Sequence, residues 1–160
     1  MKEDIIIVGA GIIGMSLALS LSRINKKIVI IEKNLSNSLK INRVYSISKK
    51  TKSFYELLGI WNNIDEINNI DSMCIYYRNL NPKNMIIFSE KINKEKIGYI
   101  AQSKNISLSL LKKIEEDDNI KLLDNYDIRG IENTETGVKI DINNQENIEA
   151  KYLFSCEGSK

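Results

Sequence analysis

Gly9, Gly11 and Gly14 follow directly on the apolar run Ile5-Ile6-Ile7-Val8, and Glu32 closes a second apolar run, Ile28-Val29-Ile30-Ile31. Each glycine has a separate use in a phosphate cradle. Gly9 suits the positive φ of a tight turn, Gly11 lets a pyrophosphate approach the main chain, and Gly14, helped by small Ala18, lets a helix lie close to a strand. The free N–H groups at the start of that helix then face an anion. Glu32 stands roughly 20 residues beyond the glycines, where a carboxylate accepts hydrogen bonds from a ribose hydroxyl. An acid rather than an arginine there favours an unphosphorylated ribose, meaning FAD or NAD before NADP. The competing reading is a glycine turn that serves packing alone, with Glu32 a solvated strand end.

The elements around these residues support the first reading. Ile5 to Val8 and Ile28 to Ile31 read as parallel strands buried on both faces. Ile13, Leu17, Leu21 and Ile24 recur at helical spacing and predict the buried side of the connecting helix. Lys33 to Asn42 is polar and reads as a loop. Arg43 follows, placed either to reach the cofactor across the cleft or to pair with a surface acid. Ser48 is a cap for a helix over Lys49 to Leu58 with Phe54, Leu57 and Leu58 inward, ended by Gly59. Ile60 and Trp61 read as core, and 64–71 as irregular.

Further on, Met73 to Tyr77 and Met85 to Phe88 read as two strands joined by a turn over Arg78 to Asn84. Such an insertion suggests a wall beside the cofactor, with Cys74 a buried thiol inside it. Gly98 to Gln102 is extended. Ile106, Leu110, Leu111 and Ile114 then mark a helix starting near Asn105, which the acidic run Glu115 to Asp118 ends, because the macrodipole disfavours negative charge there. Ile120 to Leu123 reads as a third parallel strand. Tyr126 to Ile131 and Val138 to Ile142 form an antiparallel pair around Thr134 to Gly137. A last strand over Glu149 to Ser155 should deliver Glu157 and Gly158 to the rim where Gly9 turns. The fold class is α/β: a Rossmann-like domain with a βαβ nucleotide-binding unit, a mostly parallel sheet and antiparallel β insertions.

Composition removes other classes of function. The chain has 160 residues, a net charge of +2 and no histidine. Near-balanced charge without a basic, aromatic-studded stripe argues against nucleic acid. Cys74 and Cys156 lack metal or redox spacing, and without histidine neither a metal site nor a histidine-activated nucleophile is expected. Chemistry must therefore come from a cofactor. No apolar run reaches the roughly 18 residues of a membrane span. No signal peptide is evident, so an intracellular protein with reduced thiols is expected.

Five marks occur in order: the glycine fingerprint, Arg43, Leu57-Leu58-Gly59-Ile60-Trp61, Gly98-Tyr99-Ile100 before a helix, and the terminal Glu157-Gly158. On these marks the chain resembles the N-terminal part of the FAD-dependent aromatic hydroxylases of ubiquinone biosynthesis. These are the 2-polyprenyl-6-methoxyphenol hydroxylase type, relatives of para-hydroxybenzoate hydroxylase. The resemblance implies that Gly9, Gly11 and Gly14 hold the FAD pyrophosphate, Glu32 the adenosine ribose and Arg43 the flavin side. Gly158 would belong to an Asp-Gly motif that touches FAD and the reduced nicotinamide nucleotide. Glu157 departs from that motif by one methylene.

The same resemblance implies NAD(P)H as reductant, a polyprenylphenol as substrate and a cytoplasmic location with peripheral contact at the inner membrane. It further implies that residues 1–160 are the N-terminal part of an FAD-binding domain. The second flavin motif and most of the substrate domain lie beyond the chain, so a fragment inactive alone is expected. Its partners would be a C-terminal half on another chain or other proteins of ubiquinone biosynthesis. Two alternatives stand beside this reading. One is a D-amino-acid or glycine oxidase type of flavoprotein, which shares the opening motif; the other is a non-catalytic dinucleotide-binding remnant or subunit.

Overall fold

The structure is a computed structural model that describes residues 2–40, 42–76, 85–89, 91, 96–142 and 147–158. The first half contains β1 (Lys2–Val8), α1 (Ile12–Ser22), β2 (Ile28–Glu32), α2 (Leu35–Lys40), β3 (Val44–Ile47) and α3 (Lys49–Leu57). A 3-10 turn (Trp61–Asn63), β4 (Asn68–Ile70), β5 (Ser72–Tyr76) and β6 (Met85–Ser89) follow. The rest is β7 (Gly98–Gln102), α4 (Ser103–Glu115), β8 (Ile120–Asp124), β9 (Ile128–Thr134), β10 (Gly137–Ile142) and β11 (Asn147–Ser155).

Strands β8-β2-β1-β11-β10-β9 make one mixed sheet. The first four run parallel, and β9, β10 and β11 form an antiparallel meander. Every residue of Ile5–Val8 and Ile28–Ile31 is buried, because both faces of the parallel strands are covered. Ile5, Ile7, Ile28 and Ile30 pack with Met15 and Ala18 of α1, Ile106, Leu110 and Ile114 of α4, and Leu58 and Ile60. On the other side, Ile6, Val8, Val29 and Ile31 meet Val138, Ile140, Ile142, Ile148 and Ala150 of the meander. Each fully buried isoleucine contributes about 1.5–3 kcal/mol, so these alternating runs anchor the fold.

Two smaller sheets are β3-β7-β4, which adds Ile47, Tyr99 and Ala101 to the first of these clusters, and the hairpin β5-β6, which adds no residue to either. In β5-β6, Met73 faces Phe88 and Ile75 faces Ile86.

Several elements depart from the sequence expectations. In α1, Ile13 and Ile24 are 74% and 63% exposed, while Met15, Ala18, Leu19 and Ser22 are buried. The helix is apolar nearly all round, so periodicity does not choose a face; contact of Gly14 with the Gly9 turn does. In α3 the inward residue is Tyr55, followed by Leu58, and Phe54 and Leu57 are exposed. The polar 33–42 stretch holds α2, because Asn34 Oδ1 accepts from the Asn37 N–H at 2.9 Å and caps the helix. A strand, β4, occupies part of 64–71, pairing with β7. Helix α4 begins at Ser103, two residues before the expected start.

Cys74 is exposed rather than buried, since the β5-β6 hairpin is exposed on both sides among the described residues. Tyr77 and the turn read over 78–84 lie outside the described residues. The Ser48 cap is present, its hydroxyl accepting from the Thr51 N–H at 3.1 Å, and Gly59 ends the helix at φ +75°.

Candidate dinucleotide site

At the end of β1 the chain reverses into α1 through Gly9, whose φ is +100°. A side chain there would bring Cβ to 2.7 Å from the Cys156 carbonyl oxygen, on the adjoining end of β11. The Gly9 N–H donates to the Ile31 carbonyl at 2.8 Å and the Cys156 N–H to the Val8 carbonyl at 2.7 Å, which knits three strand ends together. A Cβ on Gly14 would overlap the Gly9 carbonyl oxygen. Gly11 differs from both: its φ is −75° and nothing lies within 4 Å of where its Cβ would stand. Gly11 thus serves no packing need of the chain itself. It is the N-cap of α1 without a side-chain cap, which leaves first-turn amides open to an anion.

Glu32, at the tip of β2, is not a solvated strand end. Its Oε2 accepts from the Ala10 N–H at 2.8 Å and its Oε1 from the Asn34 N–H at 2.9 Å, with the Ser38 hydroxyl at 3.4 Å. The carboxylate therefore bridges the glycine turn to the start of α2. Charge-assisted bonds of this kind hold the turn open for a ligand. Each oxygen retains acceptor capacity for a hydroxyl.

These residues line a cleft of ≈ 470 Å³. Gly9, Gly11, Glu32, Arg43, Ser103 and Gly158 are among its lining residues. All six residues singled out in the sequence, Gly9, Gly11, Gly14, Glu32, Arg43 and Gly158, stand in or directly under it. Gly158 has φ +78° and open space at its Cβ position. Arg43 is exposed, and no acid among the described residues pairs with it, so the surface ion-pair reading has no support there. Burial pushes the Cys156 thiol up from its ordinary pKa, which keeps it protonated beside the cleft. Among the described residues the β5-β6 hairpin supplies no lining residue, so the expected wall is not seen there.

Sequence reasoning missed Ser103 and Ser107, whose signal was two serines one turn apart at the head of a helix. It also missed Tyr126 and Asp127 past the end of β8, where Asp127 pairs with Lys33 at 2.9 Å. A second hollow of similar size, ≈ 460 Å³, lies over the β3-β7-β4 sheet near Val44, Asn68 and Ile100. Its one acid among the lining residues, Glu66, accepts from the Gln102 amide at 3.2 Å, and no glycine is among those residues. Among the described residues no cluster of acids and cysteines has the makings of a metal site.

A glycine turn joined to β1, with an acid from β2 hydrogen-bonded across it, occurs at the carboxyl ends of parallel strands in Rossmann-like dinucleotide-binding domains. The family is narrower than that class: a model of the FAD binding domain matches residues 2–160, and the chain belongs to that family. It is 22% identical to the mitochondrial ubiquinone biosynthesis monooxygenase COQ6 of Dictyostelium discoideum, over 97% of this chain and 37% of that protein. The fold matches PqsL, a probable FAD-dependent monooxygenase of Pseudomonas aeruginosa, with a TM-score of 0.76 at 16% identity, over 96% of this chain and 42% of that one. It also matches the flavin-dependent monooxygenase PieE, solved with FAD and substrate, with a TM-score of 0.80 at 15% identity, over 100% of this chain and 31% of that one. The chain thus spans well under half the length of these proteins. The open cradle at Gly11 and the pre-set Glu32 carboxylate fit FAD on this chain's own geometry.

Proposed function

We propose that this chain is the nucleotide-holding part of an FAD- and NAD(P)H-dependent monooxygenase that hydroxylates a polyprenylated phenol in ubiquinone biosynthesis. The observation that carries the cofactor half is Gly11: a glycine with ordinary φ and empty space at its Cβ has its use outside the protein. The similarity to the Dictyostelium ubiquinone monooxygenase, together with the ordered Leu-Gly-Ile-Trp and Gly-Tyr-Ile runs, favours the phenol substrate over the amino-acid oxidase alternative.

In this reading the amides of the α1 start hold the pyrophosphate, Glu32 the adenosine ribose and Arg43 the flavin side, with Gly158 at the rim. FAD, when bound, supplies the redox chemistry. The chain's part is to bind and orient: Gly9 and Gly14 bring strand and helix together, and Glu32 fixes the turn before any ligand arrives. No histidine is available for proton transfer, which suits a reaction whose reactivity resides in the cofactor.

The remaining three-fifths of the relatives' length would complete the substrate pocket, on this polypeptide's continuation or on a second chain. Residues 1–160 hold the cofactor's nucleotide half and do not hydroxylate alone. Peripheral contact with the inner membrane follows from a polyprenyl substrate; no helix of the described residues is long and apolar enough to cross a bilayer.

Absorbance of the purified protein tests the cofactor. A flavin band in the wild type that is lost in Gly11→Val supports the reading; equal flavin in both refutes it. Phenol- and NAD(P)H-dependent oxygen uptake by the 160-residue chain alone would overturn its status as a part.

A further inference from the structure

Resting on that reading of Arg43, we infer that Ser103 is a positioning residue that sets Arg43 for the flavin side of the cofactor. The segment carrying Arg43 has little packing of its own. Helix α2 before it has no buried residue, and Asn42, Val44, Tyr45 and Ser46 around it are all exposed; the first buried side chain is Ile47. An arginine on so lightly packed a segment would lose much of its binding energy to ordering.

Ser103 removes that freedom. Its hydroxyl accepts from the Arg43 N–H at 2.8 Å, and its own N–H donates to the Arg43 carbonyl at 2.7 Å, so both main-chain groups of Arg43 are held by one residue. Ser103 is only 6% exposed and is the first residue of α4, whose Ile106, Leu110 and Ile114 lie in the main core. The clamp therefore ties a surface arginine to a core-packed helix that borders the cleft. Gln102, not Ser103, is the N-cap of α4, and the Ser103 hydroxyl accepts from the Arg43 N–H. Alanine at 103 would keep the main-chain bond at 2.7 Å and lose the one from the Arg43 N–H.

Calorimetric titration with FAD and with ADP separates this role from a merely structural one, because ADP ends before the flavin side. Ser103→Ala is expected to weaken FAD by about tenfold and leave ADP unchanged, with Ser103→Thr close to wild type. Ser103→Ala added to Arg43→Gln is expected to cost no more than Arg43→Gln alone. Unchanged FAD affinity in Ser103→Ala, parallel loss of FAD and ADP, or two losses that multiply would each overturn the inference while leaving the FAD assignment intact. A wild-type chain that binds neither ligand would bring down both.

Discussion

The three glycines of the turn answer different physical demands, and substitution separates them. Gly14 touches the Gly9 carbonyl and Gly9 lies against the Cys156 carbonyl at positive φ, so both are required by the chain's own packing. Gly11 is required only by what enters the cleft. Gly14→Ala is therefore expected to lose about 3 kcal/mol or fail to fold, by the cost of overpacking. Gly11→Val should melt within about 1 kcal/mol of wild type in chemical denaturation yet hold no flavin. Glu32 combines both kinds of demand, since the same carboxylate organises the turn and is available to a ribose.

Helix α3 and the run after it show how a family mark serves the framework. Trp61 meets Tyr99 edge-on with ring centroids 5.0 Å apart, and the Lys52 ammonium stands 5.7 Å and 5.6 Å from the two rings while pairing with Glu56 at 3.1 Å. The Leu-Gly-Ile-Trp and Gly-Tyr runs are thus two halves of one contact that joins α3 to β7, the strand that leads into Ser103. Trp61→Ala is expected to cost about 2 kcal/mol, measured by urea unfolding, because an aromatic contact and its buried area go together. Tyr55, on the inner side of α3, has its pKa raised above 10.0, first by burial and then by Tyr45. A raised folded pKa means that the neutral phenol is favoured in the native state. The stability it carries is fully present below pH 10.0 and is lost as pH climbs through the folded value. The melting temperature should accordingly fall less steeply above that pH in Tyr55→Phe than in wild type.

Across the whole molecule, the apolar surface is unevenly covered. Met73, Ile75, Ile86 and Phe88 are 42%, 47%, 58% and 37% exposed on one side of β5-β6, and Ile87 and Tyr76 are exposed on the other. A two-stranded ribbon with two open apolar sides is marginal in water. Tyr152 and Phe154 of β11 are likewise 62% and 39% exposed, on the side of the sheet where α1 covers Ile5 and Ile7. Patches of this kind mark interaction surfaces or association hazards. The isolated chain is expected to bind the dye ANS and to elute larger than a monomer in gel filtration, and the C-terminal part of such an enzyme should suppress both. A monomeric chain that leaves the dye dark would contradict a need for that part.

Strand, turn, helix and second strand were legible in the residues alone, because glycine's conformational freedom and the alternation of buried side chains act over a few residues. For the same reason Gly9, Gly11, Gly14 and Glu32 could be named as one site, and Gly158 assigned to its rim. Folding in three dimensions decided which side of α1 and α3 turns inward, that Cys74 is exposed, and that Ser103, sixty positions away, grips Arg43. Those outcomes depend on which surfaces of distant segments meet, and an apolar helix or an exposed arginine carries no local record of its partner.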